Sequence, residues 1–114
     1  MRINVDEADW DDDQRLLHRG VPYTGEVYEA HANGRLVALT NYVAGREDGP
    51  DWMWYPDGTL RSQGQSRSGR AVGLVRDWHP NGTLAEERLF DEHGDLRARR
   101  RWSDDGTLLE DRTF

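Results

Sequence analysis

Apolar and polar residues alternate along this chain in short stretches that are separated by glycine-containing turns. Alternation with a period of two is typical of β-strands, and no stretch shows the 3.6-residue period of an amphipathic helix. The turn glycines from residue 34 onward follow one another at intervals of 11 to 13 residues. They are Gly34, Gly45, Gly58, Gly69, Gly82, Gly94 and Gly106. Strands joined by turns at this interval predict an all-β meander.

The same skeleton recurs every 24 residues. Its shared positions are Asn33-Gly34, Asp57-Gly58, Asn81-Gly82 and Asp105-Gly106, the leucines Leu36, Leu60, Leu84 and Leu108, and the tryptophans Trp54, Trp78 and Trp102. A fixed period in this range marks a repeat architecture, in which each unit is buried by its neighbours. We therefore expect an antiparallel β-meander of about four 24-residue hairpin repeats that forms a single twisted sheet. The tryptophan and leucine columns are expected to form its spine.

Each Asn-Gly or Asp-Gly dipeptide is expected to be a two-residue hairpin loop. These dipeptides favour positive φ at both positions, which is the type I′ geometry that matches strand twist. A second turn in each repeat carries Gly45, Gly69 or Gly94, and Gly94 is displaced by one residue from the others.

The chain divides into two predicted regions. Residues 25–114 form the hairpin repeat domain, and residues 1–24 form an acidic N-terminal segment with a half-repeat cap. Within the latter, residues 1–5 alternate weakly and predict an edge strand, and residues 14–18 predict a short strand. A terminal repeat that departs from the consensus is expected, because the end of an array must cap it.

Composition narrows the classes of function. The 114 residues have a net charge of −7, which disfavours nucleic acid and anionic membranes as partners. The chain has no cysteine, so disulfides and thiolate sites are excluded. No apolar run approaches the roughly 20 residues of a membrane span, and the acidic N-terminus lacks the apolar core of a secretory signal. A cytoplasmic location is therefore expected.

Neither a metal site nor a catalytic centre is predicted. Of four histidines, only His31 and His79 share a repeat position, and two repeats separate them by more than zinc coordination allows. The chain has no glycine-rich phosphate loop and no serine nucleophile elbow. Carboxylates are plentiful, but a thin sheet has little means of enclosing an acid–base pair. We expect no cofactor and no enzymatic activity.

One basic cluster stands out against the acidic background. It consists of Arg97, Arg99, Arg100 and Arg101. Alternation sends Arg100 to one face of the sheet and the other three arginines to the opposite face. With the acidic N-terminal block available to neutralise the cluster, an internal or intersubunit charge contact is favoured over nucleic-acid binding.

The 24-residue motif resembles MORN-variant repeats, in the form G-x-W-x-x-Y-P-x-G-x-L. The stretch Pro22-Tyr23-Thr24-Gly25 before Asn33-Gly34 is similar to the start of the small bacterial YwqK-type antitoxins, and the resemblance covers residues 14–114. It implies antiparallel hairpins laid side by side and a role in binding and neutralising a partner, often a toxin encoded nearby. The last copy departs from the pattern, since Arg97 stands where glycine is expected.

The function hypothesis follows from the repeat scaffold and its aromatic residues. We expect a non-enzymatic protein-binding module, an antitoxin or immunity protein for a basic toxin. Tryptophan, tyrosine and arginine dominate interface energetics. The candidate protein-binding residues are Trp52, Trp54, Tyr55, Trp78, His79 and Arg100. For Trp52, packing beside Trp54 in a thin core is an equally favoured interpretation.

The alternative is a self-associating scaffold that forms a homodimer. Strands at residues 14–18 and 108–113 would lie at sheet edges, and such edges need to be covered or paired. Membrane-surface binding is a third hypothesis, which the acidic charge disfavours.

Overall fold

The computed structural model describes residues 1–114 and is all-β, which confirms the predicted fold class. The strands are β1 (Arg2–Asn4), β2 (Asp9–Trp10), β3 (Leu16–His18), β4 (Val21–Pro22), β5 (Gly25–Ala30), β6 (Leu36–Val43), β7 (Arg46–Trp54), β8 (Leu60–Arg67), β9 (Arg70–Ala71), β10 (Gly73–Trp78), β11 (Leu84–Phe90), β12 (Leu96–Trp102) and β13 (Leu108–Thr113). A single 3-10 turn spans Val5–Glu7. No helix has the length and apolar character needed to cross a membrane.

The main sheet has the strand order β1-β5-β6-β7-β8-β10-β11-β12-β13, with β9 pairing on β8. From β5 onward the neighbours are antiparallel and follow chain order, so the predicted meander is confirmed. The predicted N-terminal edge strand exists as β1, and it pairs in parallel with β5, with Ile3 opposite Val27. Strands β2, β3 and β4 form a separate small sheet, which the repeat pattern did not anticipate.

The Asx-Gly hairpin turns differ from the prediction, because only their glycines have positive φ. In the second repeat, the Gly58 N–H donates to the Tyr55 carbonyl (2.9 Å) and the Tyr55 N–H to the Thr59 carbonyl (2.8 Å). This is a three-residue loop, a type I turn followed by a left-handed glycine. Pro56 enforces it with a negative φ at the first turn position, and the Asp57 carboxylate accepts a hydrogen bond from the Thr59 N–H at 2.9 Å.

Type I′ geometry occurs instead at the opposite end of the hairpins. Ala44 and Gly45 both have positive φ, as do Ser68 and Gly69. The third copy, by contrast, uses a three-residue loop closed by the Gly94 N–H on the Asp91 carbonyl at 3.0 Å. The longer loop explains why Gly94 is displaced by one residue from the other turn glycines.

The fully buried core lies at the N-terminal end of the sheet. Only nine of the 114 residues are buried, and the largest cluster is Ile3, Leu16, Tyr23, Val27 and Tyr42. The expected tryptophan spine is less buried than this cluster, since Trp54, Trp78 and Trp102 are only partly buried. A single sheet leaves most of both faces open to solvent, and the main buried cluster forms where the N-terminal segment supplies a second layer.

Gly45 anchors this N-terminal layer to the repeat domain. Its carbonyl accepts the Leu16 N–H, and its own N–H donates to the Tyr23 carbonyl, both at 2.8 Å. A Cβ added to Gly45 would lie 2.9 Å from both Arg15 Cβ and the Leu16 carbonyl oxygen. Glycine is therefore required here for close approach as well as for its φ of +84°.

We predict that Gly45→Ala destabilises the protein much more than Gly69→Ala does. The two glycines share the left-handed conformation, with φ of +84° and +85°, so backbone strain of roughly 1–2 kcal/mol is common to both variants. A Cβ on Gly69 would meet nothing within 4 Å, whereas one on Gly45 would displace the N-terminal layer. Urea denaturation of both variants measures the difference, and equal losses of stability would contradict the proposed anchoring.

Candidate functional site

Cross-strand register assigns side chains to the two faces of the main sheet. Val27 pairs with Thr40, Thr40 with Asp51, and Asp51 with Gly64. Paired residues of an antiparallel sheet share a face, and a Cβ on Gly64 would contact Val75. We call this side the groove face. The opposite side, which carries Trp52, is called the aromatic face.

Small side chains on β8 open a groove in the middle of the groove face. Ser62, Gly64 and Ser66 alternate along this strand, and Ser66 occupies the repeat position held by Tyr42 and Phe90. Where the neighbouring repeats place aromatic rings, this repeat leaves space. The result is an open cavity of about 420 Å³, bordered on its apolar side by Met53, Val75 and Phe90.

Two half-buried carboxyl groups, Glu47 and Asp51 on β7, line this groove. Burial raises the pKa of Asp51 above its usual range, against an opposing hydrogen bond from the Gly64 backbone. Burial and then the nearby Asp51 charge raise the pKa of Glu47, while hydrogen bonds from Ser66 and Tyr42 partly offset the rise. Burial and the Glu47 charge raise the pKa of Tyr42 to about 12, so its hydroxyl stays a proton donor at neutral pH.

Neither Glu47 nor Asp51 forms an ion pair, in contrast to the carboxylates at the C-terminal end of the same face. The ion pairs there join Asp77 and Glu86 to Arg88, Glu86 to Arg99 and Arg101, and Glu110 to Arg99 and Arg101. Arg88 also borders the groove, but its guanidinium lies 3.4 Å from Asp77 and 2.9 Å from Glu86. The groove therefore holds negative charge that no cation of the protein compensates.

The chemistry of the groove suits a cationic group. Two adjacent carboxylates can accept hydrogen bonds from a guanidinium or ammonium group, and such charge-assisted bonds are stronger than neutral ones. The nearby apolar wall matches the aliphatic stem of an arginine or lysine side chain. No group of three or more histidine, cysteine or acidic residues is placed to hold a metal ion.

Of the residues predicted from sequence, only Trp52 borders this groove, and its register position lies on the opposite face. Trp52 and Arg100 lie in one cross-strand row of the aromatic face, which runs through Tyr28, Leu39, Trp52, Gln63, Arg76, Glu87, Arg100 and Asp111. Four strand spacings separate Trp52 from Arg100, a distance of ~19 Å. Trp54 and Trp78 lie on the same face near the Asx-Gly turns. The structure thus brings Trp52, Trp54, Trp78 and Arg100 to one face without clustering them.

Tyr55 and His79 connect neighbouring repeats. The Tyr55 hydroxyl donates a hydrogen bond to the Trp78 carbonyl at 2.5 Å. At the equivalent position of the next repeat, His79 Nε2 donates to the Trp102 carbonyl at 2.8 Å. These side chains therefore form an inter-repeat hydrogen-bond ladder.

The arginine cluster is divided between the two faces of the sheet as expected, but its ion-pair partners are not those that were expected. Arg97 pairs with Asp91 at 2.7 Å and Arg100 with Asp111 at 3.3 Å, while Arg99 and Arg101 pair with strand glutamates. Within one chain, the acidic N-terminal block does not neutralise the cluster. That block lies beside β5, at the other end of the strand order from β12.

Glu47 and Asp51 were not predicted from the sequence, although the repeat pattern carries a signal for Asp51. Asp51 occupies the repeat position that Val27 and Val75 hold in the flanking copies. A carboxylate at a position that the repeat otherwise fills with valine indicates a departure from simple packing. Comparing each repeat position across copies would have identified it.

No protein-family model matches this sequence, and no curated protein matches it. The resemblance to MORN-variant repeats therefore rests on the repeat residues alone.

We predict that Tyr55→Phe costs about 0.5–1.5 kcal/mol of stability, the usual net value of one hydrogen bond. The variant leaves the Trp78 carbonyl without its partner while keeping the aromatic ring. Tyr28→Phe is the matched control, because the Tyr28 hydroxyl makes no hydrogen bond within the protein. Thermal unfolding of both variants provides the measurement, and a Tyr55→Phe variant as stable as the control would argue against the ladder.

We predict that Asp51→Asn stabilises the protein at neutral pH. Because the pKa of Asp51 is raised on folding, the folded state binds more protons, and stability falls as pH rises through that interval. The amide cannot ionise and avoids this loss, although solvent screening keeps the gain below about 1 kcal/mol. The gain should vanish at acid pH, where Asp51 is protonated in both the folded and the unfolded states.

Denaturant unfolding at about pH 7 and at about pH 3 provides this measurement, since the two values lie on either side of the carboxyl titration. Glu29→Gln is the control, because Glu29 is exposed and forms no ion pair. A loss of stability in Asp51→Asn at neutral pH would contradict the description of the groove.

Proposed function

We propose that this protein is a non-enzymatic protein-binding module that accepts a basic segment of a partner protein in its groove. One observation carries the proposal. Glu47 and Asp51 are half-buried in a cavity of about 420 Å³ and have no cationic partner, whereas carboxylates farther along the same face are paired with arginine. The negative charge of such a site is neutralised only when a cation binds in it.

An arginine or lysine side chain matches both the charged part and the apolar wall of the groove. Its charged end pairs with Glu47 and Asp51, and its aliphatic stem packs against Met53, Val75 and Phe90. Charge pairs that become desolvated in an interface contribute to specificity, and removing one member costs affinity. The raised pKa values indicate that these carboxylates are poorly solvated in the free protein, which favours exchange of water for a cationic partner.

The net charge of −7 supports a basic protein as the partner and acts at longer range than the groove. Complementary charge accelerates encounter, and it disfavours association with nucleic acid or an anionic membrane. The resemblance to YwqK-type antitoxins extends the proposal to a biological role. In that role the protein acts in the cytoplasm as an antitoxin or immunity protein that occludes a basic toxin.

The aromatic face is the alternative surface that could bind the partner protein. Trp52, Trp54 and Trp78 are partly exposed there, and Arg100 is exposed. Tyr55 and His79 are less suited to binding, because their polar atoms already bond to carbonyls of the next repeat. Variants of the two faces distinguish the two surfaces.

We predict that a Glu47→Gln/Asp51→Asn double variant lowers affinity for arginine- and lysine-containing peptides at least tenfold, while Trp52→Ala changes it little. Isothermal titration against basic, neutral and acidic peptides of equal length provides the measurement. Affinity for the basic set should fall as salt is raised, because solvent ions screen charge pairs.

The matched control is Glu92→Gln/Asp95→Asn, which removes the same charge from the exposed β11–β12 turn. If this control weakens binding as much as the groove variant, the groove is not the site. If Trp52→Ala abolishes binding and the groove variant does not, the aromatic face is the contact surface.

A further inference from the structure

Strand β7 carries a bulge where it lines the groove. Asp51 pairs with Thr40 and Glu47 pairs with Tyr42, so a step of four residues along β7 matches a step of two along β6. Four residues of a regular strand would span ~13 Å, whereas two residues span ~7 Å. The bulge therefore brings the two carboxyl-bearing residues closer together than a regular strand would. Redirecting side chains in this way is a common role of bulges beside functional sites.

The charged and apolar parts of the groove meet in the space above Gly64. A Cβ at this position would lie 3.4 Å from an Asp51 carboxylate oxygen and 3.1 Å from a Val75 methyl carbon. Because glycine leaves this point empty, a partner side chain can occupy it. That side chain would contact the carboxylate on one side and the methyl groups on the other.

A buried hydroxyl group adds a further hydrogen-bond acceptor to this space. Ser66 lies two residues from Gly64 on the same strand, borders the groove and is only 9% exposed. Its hydroxyl group forms a hydrogen bond with Glu47. A hydroxyl that donates one hydrogen bond keeps its oxygen lone pairs available as acceptors. The groove thus offers acceptors from Glu47, Asp51 and Ser66 to a single bound cation.

The other carboxylates of the groove face show which cation this sheet places between them. Three arginines there each contact two carboxylates, at N–O distances from 2.9 to 3.7 Å. They are Arg88 between Asp77 and Glu86, and Arg99 and Arg101 between Glu86 and Glu110. Glu47 and Asp51 are a carboxylate pair on the same face without a bridging guanidinium.

We infer that the groove selects arginine over lysine, and that one guanidinium of the partner protein bridges Glu47 and Asp51 above Gly64. This inference rests on the proposed function and specifies which basic side chain enters the groove. A guanidinium presents five donors in a planar fork, so it can bond to two carboxylates and the Ser66 hydroxyl together. An ammonium group is compact and more strongly hydrated, so it loses more hydration on entering a half-buried groove.

Peptides that differ at one residue test this inference on the wild-type protein. The set is one otherwise uncharged host sequence with arginine, lysine, symmetric dimethylarginine or norleucine at its centre, and NMR titration measures each dissociation constant. Dimethylation keeps the positive charge but blocks bidentate hydrogen bonding. We predict that the arginine peptide binds at least tenfold more tightly than the lysine and dimethylarginine peptides, and that the norleucine peptide binds most weakly.

The outcomes separate this inference from the proposed function on which it rests. Equal affinities for the arginine and lysine peptides, both above that for norleucine, would overturn arginine selectivity and leave the binding of basic segments standing. A dimethylarginine peptide that binds as tightly as the arginine peptide would overturn the bridging guanidinium. Equal affinities for all four peptides would overturn both proposals.

Gly64→Ala tests the position of the guanidinium. The added methyl group would lie between Asp51 and Val75, and it fills the space above residue 64 while both carboxylates remain. We predict that the affinity for the arginine peptide falls at least tenfold, and circular dichroism checks that the variant keeps its fold. A folded variant that binds the arginine peptide as tightly as the wild-type protein would overturn the placement above Gly64.

Discussion

Backbone hydrogen bonding between neighbouring hairpins is the constraint on which the rest of this structure depends. A sheet one layer thick has no opposing layer against which to bury side chains, and few of its residues are buried. Each hairpin is therefore held mainly by the ladders to its two neighbours. The side-chain bonds from Tyr55 and His79 to carbonyls of the following repeat add to these ladders at the turn end. The regular 24-residue spacing keeps these bonds in register.

The single-layer architecture of the sheet also determines how charged side chains are distributed. Polar side chains can occupy both faces, because neither face is sealed. On the C-terminal half of the groove face, arginines and carboxylates neutralise one another across strands. Glu47 and Asp51 depart from this arrangement, and burial without a counter-ion raises the pKa of each. A feature that opposes folding at neutral pH and contributes nothing to packing is the kind of feature that binding sites retain.

The meander could be predicted from the sequence because the same turn signal occurs four times along the chain. Four Asx-Gly turns at one spacing fix hairpin position, and the strand order follows from short connections. The predicted type of the Asx-Gly turns was wrong, although Pro56 and Pro80 indicate the type that the structure shows. In the predicted two-residue loops, Pro56 and Pro80 would stand directly before the turn, where the residue donates a backbone N–H across the hairpin. Proline has no N–H, but its fixed negative φ suits the first central position of a type I turn, so those loops begin one residue earlier.

Other features depend on contacts that no local pattern encodes. Strands β2 and β4 have two residues each, too few to show alternation, and β1 pairs with a strand more than twenty residues away. The groove arises from the absence of large side chains at Ser62, Gly64 and Ser66, which in sequence resemble ordinary polar strand residues. Its position becomes visible only when the register places Asp51 beside Gly64.

The most direct test of this account is a carboxyl-detected NMR titration of Glu47 and Asp51, in the free protein and with a saturating arginine-containing peptide. The account predicts that both pKa values lie above the usual range in the free protein, because the groove is desolvated and lacks a cation. It predicts that both fall when the peptide binds, since a bound guanidinium stabilises the charged carboxylates. Ordinary pKa values in the free protein, or values that do not move on addition of the peptide, would contradict the assignment of this groove as the binding site.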